Sequence, residues 1–509
     1  MLRDTQKKIL SLLSTLFICI LSTIHLPTHA DLTSLAKNDA IPVFSTLNWD
    51  DLHLLTKKQL EYKEYDWAEK KGNHFTLSIS PFAQNADRGK TIKGQRCSLP
   101  NPLTDACDGT ITDTPIGDLT GRTGMIPLLY NTTVNGTNTW PGGITDYTVA
   151  FADKPALKAA YQKFFTQPSI PPCEDENSEC SVRGYNSEAN IDPDQLYGYF
   201  SFPLKYRKRG VRFDMAVGFY DFGIRLQTGV ATIRQVREAT LNLTNKDADT
   251  FVPLTPTLRD KTDIDHFLME QLNNIAEESN IDLCDFIQTS AEETRLYVYW
   301  RHAFAINEDA DNNWAKFLFI PYLEAGGSFS PGKKETSHKF FSVPFGNNGH
   351  PSAGFTAGFN LDFKETIEIG GEVGYTHFFE KDFCNMPIPN NEFQTNLYPF
   401  STEVSIQPGD NWYFGARIAA YHFIDNLSMY FEWFVLDHQK DDICLKNPDP
   451  AFVPEVLECI STFKTKLGNA GFNYDLSPNI GIGFLWQIPF SQRNSYRSST
   501  IMAGLNVTF

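Results

Sequence analysis

Past residue 30 the chain has no run of 18 or more apolar residues, so no stretch there is a candidate membrane-crossing helix and a polytopic helical membrane protein is excluded. Positive charge is scarce: 44 Lys and Arg stand against 61 Asp and Glu, a formal net charge of −17. Binding a phosphate backbone needs a dense basic surface, so nucleic acid is not an expected partner. Histidine is sparse, and none sits at ligand spacing to the irregularly spaced cysteines, so zinc is rejected and neither metal nor cofactor is expected. No G-x-S-x-G, no P-loop and no dinucleotide-type G-x-G-x-x-G after a strand is present, and the expectation is a protein that is not an enzyme. With 41% hydrophobic and 13% aromatic residues in 509, the chain still has ample material for a large core.

The first thirty residues read as an address. Arg3, Lys7 and Lys8 precede an apolar run from Ile9 to about Ile24, and Thr28-His29-Ala30 offers small residues at the −3 and −1 positions of a cleavage site. A secretory signal peptide over 1–30 is predicted. An uncleaved anchor is the alternative, disfavoured because the run is short and interrupted by Ser and Thr. Export to an oxidising compartment permits disulfides among the eight remaining cysteines. Cys97/Cys107, Cys173/Cys180 and Cys444/Cys459 are close pairs in Pro-, Asn- and Asp-rich segments and are candidate loop staples, with Cys284 and Cys384 left over. Spacing alone does not fix connectivity.

From residue 195 onward the hydrophobic pattern has a period of two, the signature of strands with one apolar and one polar face. Val211, Phe213, Met215, Val217 and Phe219 alternate with Arg212, Asp214, Ala216, Gly218 and Tyr220. The same alternation runs through Phe222–Ala231, Trp412–Tyr421, Leu427–Val435 and Ile480–Ile488. Segments of about 9 to 13 residues suit a tilted strand crossing a bilayer. A soluble β-sandwich also alternates, but its strands are usually shorter and its apolar faces meet inside. About fourteen strands are expected, 196–206, 211–219 and 397–407 among them. Following their direction puts 237–294, 330–352 and 380–396 at the end that should carry short turns. Two more strands, one at 126–131 or 145–151 and one at 455–462, would correct this and raise the count to sixteen.

The chain ends with Ile501, Ala503, Leu505, Val507 and Phe509 alternating with Met502, Gly504, Asn506 and Thr508. This resembles the terminal strand of Gram-negative outer-membrane β-barrels, and the pattern over 195–509 resembles porin-like barrels, the nearest type being major outer-membrane porins with cysteine-bearing loops. The resemblance implies an all-β fold, a closed antiparallel transmembrane barrel of about 14–16 strands with long outer loops, located in the bacterial outer membrane. It also implies that Phe509 is an assembly signal read by the barrel-assembly machinery. The expected organisation is a helical N-terminal periplasmic or plug segment over 31–72 and a barrel over 73–509. Within the barrel, 84–195 is a long loop or small insertion, and 237–294 is a loop with a helix near 258–281.

Charged residues on a lipid face cost roughly 2–4 kcal/mol at the midplane for basic side chains, so the polar positions of the strands belong inside. Arg212, Asp214, Arg225, Gln227, Glu324, Glu368, Glu372, Arg417 and Glu432 are the candidate pore-lining residues. The same residues could instead pair across a plugged lumen. Tyr297, Trp300, Trp314, Tyr398, Trp412 and Trp433 are candidates for interfacial girdles. The functional expectation is a channel for passive diffusion of small hydrophilic solutes, with outer-membrane lipid as its environment and homo-oligomerisation left open. A non-conducting adhesin or structural coat protein is the alternative, and an outer-membrane hydrolase is disfavoured because His302, His377, His422 and His438 stand alone on separate strands.

Overall fold

The computed structural model describes residues 74–93, 110–119, 123–165, 199–238, 240–242, 261–309, 314–333, 338–363, 367–424, 426–477 and 479–508. The signal peptide 1–30, the segment 31–72, Cys97, Cys107, Cys173, Cys180 and Phe509 lie outside the described residues.

Twelve antiparallel strands close into a ring: β1 (His74–Ala86), β2 (Leu204–Phe219), β3 (Phe222–Arg237), β4 (Thr294–Arg301), β5 (Trp314–Phe329), β6 (Ser352–Phe363), β7 (Ile367–Phe378), β8 (Asn411–Ile424), β9 (Leu427–His438), β10 (Phe463–Ser477), β11 (Ile480–Arg493) and β12 (Ser499–Thr508). Each strand pairs with its successor, and β12 returns to β1 with Thr508 opposite Thr76 and Ser499 opposite Asn85. Closure pairs the backbone of every strand laterally, which is what lipid demands of a sheet.

The period-two pattern sorts the side chains. On β2, Arg212, Asp214 and Ala216 are buried while Val211, Phe213, Met215 and Val217 face outward. Around the ring the outward set includes Ile224, Val230, Leu296, Val298, Leu323, Phe355, Phe359, Ile369, Phe414, Ile418, Phe431, Trp433, Ile482, Trp486 and Leu505, each 39–55% exposed. An apolar belt of that extent is untenable in water and is the face a transmembrane barrel presents to acyl chains. A sandwich would have turned these side chains inward.

The ring has twelve strands rather than fourteen to sixteen, for two reasons. Residues 196–206 and 211–219 are not two strands: the run Lys205-Tyr206-Arg207-Lys208-Arg209 interrupts the apolar alternation but not the backbone ladder, and Leu204–Phe219 is continuous against both neighbours. Residues 397–407 contribute Ser401–Gln407, which pairs with Lys381–Pro387 and Asp442–Leu445 in a separate three-stranded sheet. The proposed additional strands are helical instead. Pro127–Leu129 is a 3-10 turn, Tyr147–Ala150 forms α1 and part of 455–462 forms a helix. With these corrections 87–203, 238–293, 330–351, 379–410 and 439–462 all emerge at one end of the ring. The other end has the connections 220–221, 302–313, 364–366, 425–426 and 478–479. The direction conflict therefore came from one strand too many before residue 211 and another at 397–407, not from strands overlooked.

The long connections fold into a cap. Besides α1, they contain α2 (Pro155–Phe165), α3 (Lys261–Glu278) and α4 (Glu455–Ser461). Asp146 caps α1 by accepting from the backbone N–H of Thr148 at 2.7 Å, and that bond holds its carboxyl below the usual range. Glu278, on the last turn of α3, accepts from the N–H groups of Ala156 and Leu157 at 2.7 and 2.8 Å, so one helix end satisfies the first turn of α2. Leu128, Leu129, Trp140, Phe151 and Leu157 join Leu268, Leu272 and Ile275 of α3 and Phe340, Phe341 and Phe345 of the β5–β6 connection in one apolar core. Each such side chain is worth roughly 1.5–3 kcal/mol of burial, so the described residues of the cap form a folded layer.

Cys444 does not pair with Cys459: Cys444 is a free, exposed thiol, as are Cys284 and Cys384. The reason is the sheet's pleat and the helix's pitch. Ile443 and Leu457 share the small core between the three-stranded sheet and α4. Cys444, one residue on from Ile443, faces away from that core, and Cys459, two residues on from Leu457, lies about 200° round the helix. Cys459 is disulfide-bonded to a cysteine other than these three.

Candidate site in the barrel lumen

All nine candidate pore-lining residues fall on inward positions of the strands, and all but the half-buried Glu372 are fully buried. They form three groups. On β2, Arg212 grips Glu292 through two bonds, Nε to Oε2 at 2.9 Å and Nη2 to Oε1 at 3.2 Å, and Lys208 reaches the same carboxylate at 2.5 Å. Between β2, β3 and β5, Arg225 pairs with Glu324 and lies 3.8 Å from Asp214, whose other oxygen accepts from Gln227 at 3.0 Å. Across β7, β8 and β9, Arg417 pairs with Glu368 and stands 4.0 Å from Glu432; Tyr322 donates to Glu372 at 2.6 Å. A void of about 10 Å³ between Tyr322, Asn360, Glu372, Arg417 and Glu432 has room for roughly one water.

Several members of these groups were not legible as site residues. Glu292 and Glu293 lie in the connection entering β4, where the backbone N–H of Glu292 bonds the carbonyl of Gly229 at 2.8 Å and so places the carboxylate inside the ring. Glu293 is held by Arg295 at 2.9 Å and accepts from Ser328 and Asn347. Gln235 on β3 donates to the carbonyl of Phe341 at 2.7 Å, tying the cap segment to the barrel wall. Only the charge of the Glu292-Glu293 pair hinted at this; its entry into the barrel is a tertiary event.

Charge is distributed unevenly. The β2 group sets two cations against one carboxylate, whereas the β7–β9 group, half-way round the ring, sets one arginine against Glu368, Glu372 and Glu432. An unpaired buried charge is costly, so each group is held together by its counterions. Eight strands leave an interior just wide enough for side chains and sixteen to eighteen leave an aqueous channel; a ring of twelve is intermediate, and here these pairs occupy the inner wall.

The girdle candidates divide. Trp300, Trp412 and Trp433 are outward-facing, and Tyr297 is on the inward parity of β4. Tyr398 is not at an interface at all: it is buried in the core of the three-stranded sheet, where burial pushes its phenol pKa up. The side chain of Trp314 lies outside the described residues. The histidines have structural partners: His302 Nδ1 with Asp221 at 2.9 Å, His377 Nδ1 with Asp410 at 2.8 Å, and His438 between Asn411 and Asp441 at 2.6 and 3.0 Å. The side chain of His422 lies outside the described residues.

No family model matches the chain, and no curated protein matches it. Among solved structures it is similar to an outer-membrane channel of Pseudomonas putida F1, at 6% identity and a TM-score of 0.40 over 86% of this chain and 96% of that one. It is also similar to the NanC porin, at 8% identity and a TM-score of 0.28 over 59% and 93%. A third is the translocator domain of the autotransporter NalP from Neisseria meningitidis, at 7% and 0.31 over 92% and 99%. At such scores the barrel's own strand register is the basis for the fold.

Proposed function

We propose that the chain is a channel-type barrel of the bacterial outer membrane that admits small hydrophilic solutes by passive diffusion, and that it is not an enzyme. One observation carries the reading: a closed twelve-strand ring whose outer face is apolar and whose inner face is lined by charged and amide side chains. The lining is Arg212, Asp214, Arg225, Gln227, Glu324, Glu368, Glu372, Arg417 and Glu432, joined by Lys208 and Glu292. Because these groups are ion-paired, passage requires them to part, and the conducting state is one in which the segment carrying Glu292 and Glu293 has moved off the wall. The purified protein in planar bilayers should give discrete conductance steps. Variants that break the pairs, such as Glu292→Gln, should conduct more often than the parent.

A second reading is favoured by one specific observation, the buried lumen beneath a folded cap. On it the barrel anchors a non-conducting adhesin or coat protein whose cap makes the contacts. Silence in bilayers from both the parent and Glu292→Gln, with the protein shown to be inserted, decides for that reading. The signal peptide over 1–30, recognition of Phe509 by the assembly machinery, and homo-oligomerisation belong to the same proposal and are tested by export, deletion and cross-linking respectively.

A further inference from the structure

The chain is acidic overall, yet one patch of the outer barrel wall is strongly basic. Lys205, Arg207 and Arg209 on β2 and Arg234 on β3 are exposed and share the outward face. Arg207 sits directly opposite Arg234 in the ladder, two guanidinium side chains with Cβ atoms about 5 Å apart. Lys205 is matched by Glu238, but Arg207, Arg209 and Arg234 have no ion-pair or hydrogen-bond partner among the described residues. Asp285, the next acid along, is taken by the backbone N–H of Arg237.

The ladder also fixes where this patch lies. One rank runs across five strands as Ser499, Asn85, Arg207, Arg234 and the exposed Ile287 of the strand Phe286–Ala291, which pairs with the upper half of β3. The next rank, one step toward the short-turn end, is Ile501, Ala83, Arg209 and Thr232, where exposed Ile501 marks the upper edge of the apolar belt on β12, and below it Val211 faces Val230 within the belt. On β11, Trp486 is half exposed and its indole N–H donates to Ser499 at 3.2 Å, an arrangement suited to a membrane–water boundary. The arginines therefore stand at headgroup height, at the end of the barrel that carries the long connections.

Like charges directly opposite in a ladder destabilise it unless an anion lies between them. Guanidinium groups bind phosphate oxygens bidentately, and basic residues at a bilayer surface attract anionic headgroups. Three uncompensated arginines exceed what one monoanionic phosphodiester neutralises. We propose that Arg207, Arg209 and Arg234 form a binding site for the phosphomonoester headgroup of an anionic lipid in the adjacent leaflet. The inference rests on the barrel spanning a bilayer but not on whether it conducts.

The test uses the full-length exported protein folded into phosphatidylcholine vesicles, with insertion first verified by protease protection and β-sheet circular dichroism; failure at that step rejects the membrane barrel itself. Phosphatidic acid, phosphatidylglycerol and inorganic phosphate are then supplied separately, and bound lipid is counted by native mass spectrometry after gentle detergent extraction. The parent should retain phosphatidic acid in preference to phosphatidylglycerol. R207Q/R209Q/R234Q should retain it on the order of tenfold less. Should the triple variant not fold, R207Q, which removes one member of the opposed pair, should show the same direction. Equal retention of phosphatidic acid by parent and variant overturns the proposal. So does full displacement of the lipid by inorganic phosphate at matched concentration, which would make the site one for a free ion.

Discussion

The ring of Tyr299 on β4 lies directly over Gly223, the residue opposite it on β3, in the space a Cβ would need. Tyr322 over Gly358, Tyr413 over Gly374 and Tyr430 over Gly471 repeat the arrangement, each a directly paired couple on neighbouring strands. A glycine weakens a strand by leaving its backbone uncovered; the tyrosine covers it from across the ladder and is buried in doing so. Four such joints lock strand to strand, and two of them also touch the lumen's charges: Tyr322 donates to Glu372, and the Arg225 guanidinium lies over the Tyr299 ring.

The joints predict a contrast between glycines. Gly223→Ala places a methyl group within the Tyr299 ring and should destabilise the folded barrel by roughly 1–3 kcal/mol. At Gly371 the same change meets nothing nearer than a ring carbon of Phe359 at 3.7 Å and should be within about 1 kcal/mol of neutral. Urea unfolding midpoints of the two variants in lipid vesicles measure the difference; equal midpoints would remove the joint as a source of stability.

The carboxylate of Glu292 serves both Lys208 and Arg212. Its removal in Glu292→Ala leaves two buried cations facing each other without it, and breaking a buried pair in this way costs about 3–5 kcal/mol. Replacing the whole group with Lys208→Met, Arg212→Leu and Glu292→Leu should restore most of that stability, since packed apolar side chains often substitute for a buried ion group at little cost. Thermal unfolding of the single and triple variants decides it: a triple variant no more stable than Glu292→Ala would contradict the account.

Around the β7–β9 wall the carboxylates outnumber the arginine, so a conducting lumen should prefer cations. Glu368→Gln with Glu432→Gln leaves Arg417 balanced by Glu372 alone and should move the reversal potential away from cation preference, toward zero, under a salt gradient. An unchanged reversal potential would place the ion path elsewhere.

In the cap, Lys154 donates to the carbonyl of Pro399 near Glu278. Burial pushes its pKa below the usual 10.5, against the opposing pull of Glu278. The folded state therefore binds fewer protons than the unfolded chain between the lowered pKa and 10.5, and stability contributed at this site rises with pH through that window. Relative to Lys154→Met, the parent should gain thermal stability as pH is raised from neutral toward 10. A difference independent of pH would show that the amine carries no such penalty.

What the sequence revealed and what it hid follow from the same physics. Alternation is local, so it placed Arg212, Asp214, Arg225 and Glu432 on the inward face before any strand was paired. It failed where a barrel strand leaves the apolar zone: Arg207 and Arg209 continue the ladder beyond the belt, and their charge made one strand read as two. It failed again at Ser401–Gln407, whose alternation is equally good but serves a small sheet packed on α4. The descent of Glu292 into the ring depends on its contacts with Gly229, Lys208 and Arg212, far from it in the chain, which no local pattern records.

Three free thiols among the described residues give a final test, since Cys284, Cys384 and Cys444 are exposed and Cys459 is disulfide-bonded. Maleimide should label the first three in the folded protein and reach Cys459 only after reduction. Rates should also differ with pH, because the thiolate is the reactive form. Asp282 accepts from the backbone N–H of Cys284 at 2.8 Å, and its carboxylate beside the thiol raises the thiol's pKa through hydrogen bonding and charge. Asp282→Asn removes that charge while keeping the shape of the turn, so Cys284 should react a few-fold faster near neutral pH and converge with the parent once both are ionised in alkaline solution. At Cys444 burial is the larger cause of the raised pKa, ahead of Asp442, so Asp442→Asn should accelerate labelling less than the change at Asp282 does for Cys284. Stopped-flow labelling followed by peptide mapping resolves the two sites, and equal rates for Asp282→Asn and the parent across the pH range would show that the carboxylate does not control the thiol.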